Sequence, residues 1–189
     1  MALFDRAKAL LLRPEQEWRV IAAEPADTAS LFKTYAAPLS ALPAVAGFIG
    51  AALFAGMLGG MVGARIGIFG LLVNAITGYL LGLAALWVWG KVLEALSPRF
   101  GGLAEEVPAM KLAVHTPTAI WLAGLFAIIP PLAILGILGL VSIYTFYKGA
   151  PVVMLVPRDR VGGFTLAAVV IGFLVNLVLG LLASLVFRF

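Results

Sequence analysis

Long apolar runs separated by short polar stretches dominate the sequence. The runs occupy residues 37–60, 66–90, 112–129, 131–147 and 163–187. A helix needs roughly 20 residues, at about 1.5 Å per residue, to cross the hydrocarbon core of a bilayer. Helices satisfy all their backbone polar groups internally, as lipid demands. The pattern therefore predicts an all-α, polytopic membrane bundle of about five transmembrane helices.

The two central runs are the shortest, and only Pro130 and Pro131 separate them. Two consecutive prolines cannot continue a helical hydrogen-bond ladder, so the chain must break there. Two arrangements remain open: two full spans, or a re-entrant hairpin over residues 112–147. Both return the chain to the side it left, so the last run has the same direction in either case.

The first 35 residues follow a different pattern, with apolar positions on one helical stripe over residues 2–12 and a second helix expected to start at Pro14. We predict that residues 1–35 form cytoplasmic amphipathic helices, here called the collar, and that residues 36–189 form the transmembrane bundle. Amphipathic helices with aromatic and basic residues lie in the headgroup region. The residues predicted to anchor the collar to lipid headgroups are Arg6, Lys8, Trp18 and Arg19.

Basic residues flank the runs unevenly, and cytoplasmic loops of membrane proteins carry the excess of Lys and Arg. With the N-terminus inside, the inner segments hold eleven: Arg6, Lys8, Arg13, Arg19, Lys33, Lys91, Arg99, Lys111, Lys148, Arg158 and Arg160. The outer segments hold two, Arg65 and Arg188. The bias predicts a cytoplasmic N-terminus and an outside C-terminus.

Composition supports a membrane protein and narrows its chemistry. The chain is 63% hydrophobic and 12% charged, whereas soluble domains are roughly 45–50% apolar and 25% charged. It has no cysteine, which excludes disulfides and cysteine metal sites. The net charge of +4 comes from residues beside apolar runs, where they orient the chain. We therefore expect the lipid bilayer as a partner and no nucleic acid.

Glycines recur at four-residue spacing in the first two runs and between them, a pattern that lets two membrane helices approach closely. The candidate helix-packing residues are Gly56, Gly60, Gly63, Gly78 and Gly82. They predict either packing within one chain or a contact with a second copy or another membrane protein.

Polar residues inside the runs are few and uncharged, which argues against an ion channel or proton-coupled pump. Asn74, His115 and Asn176 are the candidate intramembrane polar contacts. The two asparagines are expected to join helices or line a narrow cavity, and the lone histidine is expected at the membrane interface. A metal site needs three or four converging ligands, and no catalytic motif is present. We predict no catalytic residue, no metal site and no cofactor.

Charged residues between the second and third runs suggest only local contacts. Lys91 and Glu94 have the i,i+3 spacing of a helical ion pair. Glu105 and Glu106 are adjacent and would point to different sides of a helix, so we interpret them as solvated loop charges.

The order of several features along the chain resembles the Yip family, polytopic membrane proteins named for interaction with Ypt/Rab GTPases, and above all its short prokaryote-type members. The features are Leu11, Leu12, Arg13 and Pro14; Glu17 and Trp18; Ile21, Ala22, Ala23 and Glu24; Tyr35, Pro38 and Leu39; Pro117, Trp121 and Pro130; and Tyr144, Tyr147, Lys148, Gly149 and Pro151. The resemblance implies a five-span bundle with a cytoplasmic N-terminus in a bacterial inner (cytoplasmic) membrane. It transfers no catalytic residue and no Rab partner.

Two hypotheses of function follow. The first is a non-enzymatic membrane protein that acts through helix–helix assembly and contact with a partner or with lipid. The alternative is a transporter or pore for a small, weakly polar solute, suggested by the proline breaks and the asparagines. A continuous polar cavity reaching mid-membrane would favour the alternative.

Overall fold

The computed structural model of the protein describes residues 3–62 and 67–186, and side-chain surroundings within them except at residues 55–62, 130, 133 and 182–186. The described residues form helices and turns and no β-strand. The predicted all-α, polytopic helical bundle is confirmed. Gly63 lies outside the described residues, and Gly56 and Gly60 lie where side-chain surroundings are not described.

Three short helices precede the membrane-length helices. They are α1 (Leu3–Leu12), α2 (Pro14–Ala23) and α3 (Thr28–Leu31). Proline suits the first position of α2 because the missing N–H would have no helical partner there. Asp27 begins α3: its carboxylate accepts the Ser30 N–H at 2.9 Å, and the Ser30 hydroxyl oxygen accepts the Asp27 N–H at 3.2 Å. This reciprocal pair is a capping box.

The remaining helices form the membrane-length stretches, in which tighter or wider turns join some of the α-helices. A π-helical turn at Phe32–Ala36 leads into α4 (Ala37–Val62), and α5 (Ile68–Leu96) ends in a 3₁₀ turn at Ser97–Phe100. Next come α6 (Glu106–His115), α7 (Thr118–Ala123), 3₁₀ segments at Gly124–Ile128 and Pro130–Leu140, α8 (Val141–Val153) and α9 (Val161–Val186).

Within the described ranges, five helical stretches are long and apolar enough to cross a membrane, so the chain is an integral membrane protein. They are Thr28–Phe54, Ile68–Phe100, Glu106–Ile128, Ile134–Val153 and Val161–Leu181. Several extend further toward the collar than the predicted runs, because Lys and Glu are good helix formers beyond the apolar segment. Each of the two central stretches has sufficient length, with 23 and 20 residues.

The core lies at the collar end of the bundle. The bulky side chains that solvent does not reach include Trp18, Leu93, Met110, Phe146 and Phe164. The third stretch is the most enclosed, with 56% of its apolar window buried against 11% for the second. The lipid-facing helices thus surround a buried third helix.

Two connecting loops pack against each other, and Arg158 of the second loop lies beside Glu15 and Arg19 of the collar. The Leu103 N–H donates to the Met154 carbonyl at 2.8 Å, and the rings of Phe100 and Phe164 lie 5.6 Å apart. Gly101 ends the 3₁₀ turn with φ +80°, a conformation that favours glycine. The collar and both loops therefore form one tightly packed end of the molecule.

Candidate functional site

A cavity of about 1010 Å³ opens between α4, α5, α7, α8 and α9 and the 3₁₀ segment before α8. One face of α5 lines it from Leu71 to Trp89. Those 18 steps correspond to about 27 Å of helix, most of the roughly 30 Å of hydrocarbon in a bilayer. The cavity therefore runs along the spans instead of crossing between them.

Aromatic side chains close the cavity toward the collar. Trp89 and Phe146 are the lining residues of α5 and α8 nearest the collar. The Trp89 indole N–H donates to the Ala168 carbonyl at 3.1 Å, and its ring lies 5.6 Å from that of Phe146. A donor bonded to α9 and a ring packed on α8 fix this aromatic wall, which the cavity shares with the core.

Gly78 and Gly82 line the cavity wall formed by α5. A methyl group added at either position would meet no atom within 4 Å. Neither glycine makes a close helix contact within the described chain. Among the described residues these two glycines widen the cavity, and their role in helix packing stays a prediction.

Other glycines make the close contacts. An added methyl group would overlap Met110 at Gly90, Trp18 at Gly149, and Pro43 at Gly124. Gly50 approaches the backbone of Ala127 in the same way. The four-residue spacing does not identify these glycines, because each of them contacts a different helix by itself. A single glycine forms no recognisable pair in the sequence.

Six residues with uncharged amide or hydroxyl groups line the cavity: Ser40, Asn74, Tyr79, Thr116, Ser142 and Asn176. The hydroxyls of Ser40, Tyr79 and Thr116 donate to backbone carbonyls. The Asn176 amide N–H donates to the Gly172 carbonyl of its own helix at 2.9 Å. Ser142 is buried, and its hydroxyl oxygen has no hydrogen-bond partner among the described residues. No hydrogen bond within the described chain joins the two asparagines. Their amides line the cavity and leave bonding capacity facing it.

His115 is buried at the collar end of the bundle, where the rings of Tyr35 and Trp18 enclose it, and its depth at the membrane interface stays a prediction. Its ring centroid is 4.3 Å from that of Tyr35 and 6.1 Å from that of Trp18. Nδ1 lies 2.8 Å from the Lys111 carbonyl oxygen, which can only accept, so Nδ1 carries the proton. The Thr118 hydroxyl donates to the His115 carbonyl at 2.6 Å and accepts the Tyr35 hydroxyl at 2.8 Å.

The predicted headgroup anchors divide into two groups. Trp18 is fully buried and donates its indole N–H to the Thr145 carbonyl at 2.9 Å. Arg6 binds both carboxylate oxygens of Glu24 at 2.6 Å. Trp18 therefore joins the collar to α8, whereas Arg6 joins α1 to the end of α2 within the collar. Lys8 and Arg19 are exposed, and their contact with headgroups stays a prediction.

Arg6 also lies near Glu17, with Nε and Oε1 3.4 Å apart. That Oε1 is buried and accepts no hydrogen bond from the described residues, so the contact is an ion pair without bonding geometry. Hydrogen bonding by Arg6 lowers the pKa of Glu24. Burial raises the pKa of Glu17, against the weaker effect of Arg6.

Lysines complete the attachment of the collar. Lys111 Nζ donates to the carbonyls of Ala22 and Glu24 at 3.0 and 2.6 Å, which satisfies the C-terminal end of α2. The predicted Lys91–Glu94 pair is confirmed at 3.0 Å. Glu106 is not a free loop charge: it begins α6, pairs with Lys91 at 2.8 Å and accepts the Thr28 hydroxyl at 2.9 Å.

Two comparisons with known proteins found nothing and one found a family. No curated protein and no solved structure is significantly similar to the chain. The family model for the Yip1 domain matches residues 8–180. The match runs from the collar into α9 and so includes every helix that lines the cavity.

Proposed function

This chain belongs to the Yip1 family, and on that premise we propose that it is a non-enzymatic membrane protein that holds the acyl part of a lipid in the cavity between its spans. The cavity is the observation that carries the proposal. Its volume of about 1010 Å³ is at the upper end of the roughly 300–1,000 Å³ of ligand pockets, which are mainly apolar with a few placed polar groups.

The chemistry of the lining supports an uncharged, elongated occupant. The groups that face the cavity are apolar side chains, glycines, amides and hydroxyls. A charged group at this depth would be costly because water is absent. Asn74, Ser142 and Asn176 can instead bond the ester or hydroxyl groups of a lipid, and amides and hydroxyls bind such groups without exchanging protons at neutral pH.

The exposed face of Gly78 and Gly82 favours a second candidate, assembly through that face. Glycines four residues apart let a helix of a second copy or of another membrane protein approach closely, and no atom of the described residues occupies that space. A transporter for a small, weakly polar solute is the third candidate, supported by the polar groups along the cavity and the break before Pro130.

For the placement in the cell, we propose the bacterial inner membrane with the N-terminus in the cytoplasm and the C-terminus outside. We propose further that residues 1–35 act as a cytoplasmic unit and residues 36–189 as the membrane bundle. The charge count of eleven against two supports this orientation.

Filling the cavity tests the proposal. In Gly78→Leu/Gly82→Leu, two side chains enter the cavity, and we expect the lipid retained by the purified protein, measured by native mass spectrometry, to fall about tenfold. Gly70→Leu is the matched control: this glycine is on the same helix and also faces open space, but it does not line the cavity.

Light scattering on the same samples separates the candidates. Loss of lipid with an unchanged oligomeric state supports the lipid site. Loss of an oligomer with lipid retained would show that Gly78 and Gly82 act in assembly and not in lipid binding. Lipid retention equal to that of Gly70→Leu would refute the lipid proposal.

A further inference from the structure

A second pocket, of about 320 Å³, lies at the collar end of the bundle. It is formed where α2 meets the last turns of α8 and the loop that leads to α9. Arg19, Lys148 and Arg158 line it together with Glu15 and Tyr147. Three cations from three separate segments thus face one concave space.

Two of these cations have no acidic partner within 4 Å among the described residues. Arg19 and Arg158 are exposed and form no ion pair there. Lys148 Nζ binds Glu15 Oε1 at 2.6 Å and lies 5.5 Å from the centre of the Tyr144 ring. Three positive charges against one negative charge leave the pocket with a net charge of +2.

Glu15 marks the point on which the cations converge. Its side chain is 60% exposed, so it enters the pocket from the solvent side. Hydrogen bonding by Lys148 lowers the pKa of Glu15, and the charges of Lys148, Arg19 and Arg158 act in the same direction. The pocket therefore already stabilises one anionic oxygen group, supplied by the chain itself.

We propose that this pocket binds a phosphate group, with a phospholipid headgroup as its source. Guanidinium groups suit phosphate because their N–H donors form a planar fork. Val152 and Val161, at the ends of two membrane stretches, border the pocket, and the exposed Tyr144 and Tyr147 lie beside it, as aromatic residues do at the headgroup level. Basic pockets between helices at this level bind anionic headgroups.

This proposal stands apart from the cavity, which lies beyond the aromatic wall. The ligand here is anionic and bound at the surface, whereas the cavity occupant is uncharged along its buried part. Failure of one proposal leaves the other unaffected, because each rests on different residues.

The first test compares lipids and charge variants. Phosphatidylglycerol should bind the purified full-length protein more tightly than phosphatidylcholine in a native mass spectrometry titration. Since each basic residue near an anionic surface contributes about fivefold, Arg19→Gln/Arg158→Gln should weaken phosphatidylglycerol binding about 25-fold. Lys33→Gln/Arg99→Gln removes the same charge from exposed positions outside the pocket and should change it less than twofold. Equal losses in both double variants, or no loss, would overturn the site.

The second test uses Glu15 and free phosphate. Glu15→Gln removes the internal anion and should strengthen phosphatidylglycerol binding about fivefold, a gain that a structural ion pair with Lys148 would not produce; the absence of a gain contradicts the proposal. Inorganic phosphate distinguishes the two sources of the same chemistry. If inorganic phosphate binds at the pocket and phosphatidylglycerol does not, the ligand is free phosphate. If phosphatidylglycerol binds and inorganic phosphate does not displace it, the ligand is the headgroup.

Discussion

Arg6 holds two carboxylates in unlike surroundings. Glu24 receives two short hydrogen bonds from the guanidinium, while Glu17 is buried and receives none. A buried ionised carboxylate without hydrogen bonds carries a desolvation cost that one neighbouring cation does not remove. Arg6 therefore stabilises the ionised carboxylate of Glu24 but does not offset the burial of Glu17.

We expect opposite pH effects from the two carboxylates. The pKa of Glu17 is raised in the folded protein, so its contribution to stability is present below the ordinary Glu pKa and is lost as pH rises through the raised value. The pKa of Glu24 is lowered, so its contribution is present above the ordinary value and is lost as pH falls. Glu17→Gln should raise the melting temperature at neutral pH, and Glu24→Gln should lower it.

Thermal unfolding in detergent, followed by tryptophan fluorescence from mildly acidic to neutral pH, measures both effects, since the chain contains four tryptophans. A lower melting temperature for Glu17→Gln at neutral pH would show that the ion pair with Arg6 outweighs the burial of the carboxylate.

At the scale of elements, single glycines fix how closely helices approach. Gly149 of α8 lies against Trp18 of α2 and Leu112 of α6, so three helices meet where α8 has no side chain. Packed interiors accommodate added atoms only by shifting side chains or backbone. This contact, together with the indole hydrogen bond to Thr145, positions the collar.

Gly149→Ala should therefore destabilise the protein by about 1–3 kcal/mol, the usual cost of overpacking, although alanine is the better helix former. Gly162→Ala in α9 is the control, because an added methyl group there meets nothing within 4 Å. Thermal unfolding of both variants measures the difference. A stability of Gly149→Ala equal to that of the control would contradict the close packing of Trp18.

The spans were predictable from sequence because lipid imposes a simple rule on length and polarity. The surface that covers the collar was not predictable from sequence. An amphipathic stripe shows that one face is apolar, and lipid and protein cover such a face equally well; Trp18 and Leu10 are buried by the bundle. The sequence identifies Asn74 and Asn176 because a polar group in lipid is costly. The cavity that they line is enclosed by five separate helices, and no local pattern encodes how those helices are arranged.

On the scale of the whole molecule, the collar end is tightly packed, whereas the rest of the spans encloses the cavity. The collar and the loops at residues 97–105 and 154–160 share one end, and the cavity occupies the other part of the spans. Charged residues concentrate at the packed end, where eleven basic side chains were counted on the predicted inner side.

Cysteine labelling tests this orientation cleanly because the chain has no cysteine of its own. Arg99→Cys should react with a membrane-impermeant maleimide only in inside-out vesicles, and Gly67→Cys, at the start of α5, only in intact cells. Lys33→Cys serves as a second inner position. Labelling of Arg99→Cys and Gly67→Cys from the same side would contradict the five-span topology.

The distance in sequence between the collar and its contacts has a consequence for biogenesis. Trp18 bonds to Thr145, 127 positions later, so the second helix leaves the ribosome long before its docking surface exists. At about 5–20 residues per second this delay is on the order of 10 seconds. During that interval the bilayer surface or a chaperone must cover the apolar stripe of the nascent N-terminus. The stripe can dock on the bundle only after α8 has been synthesised.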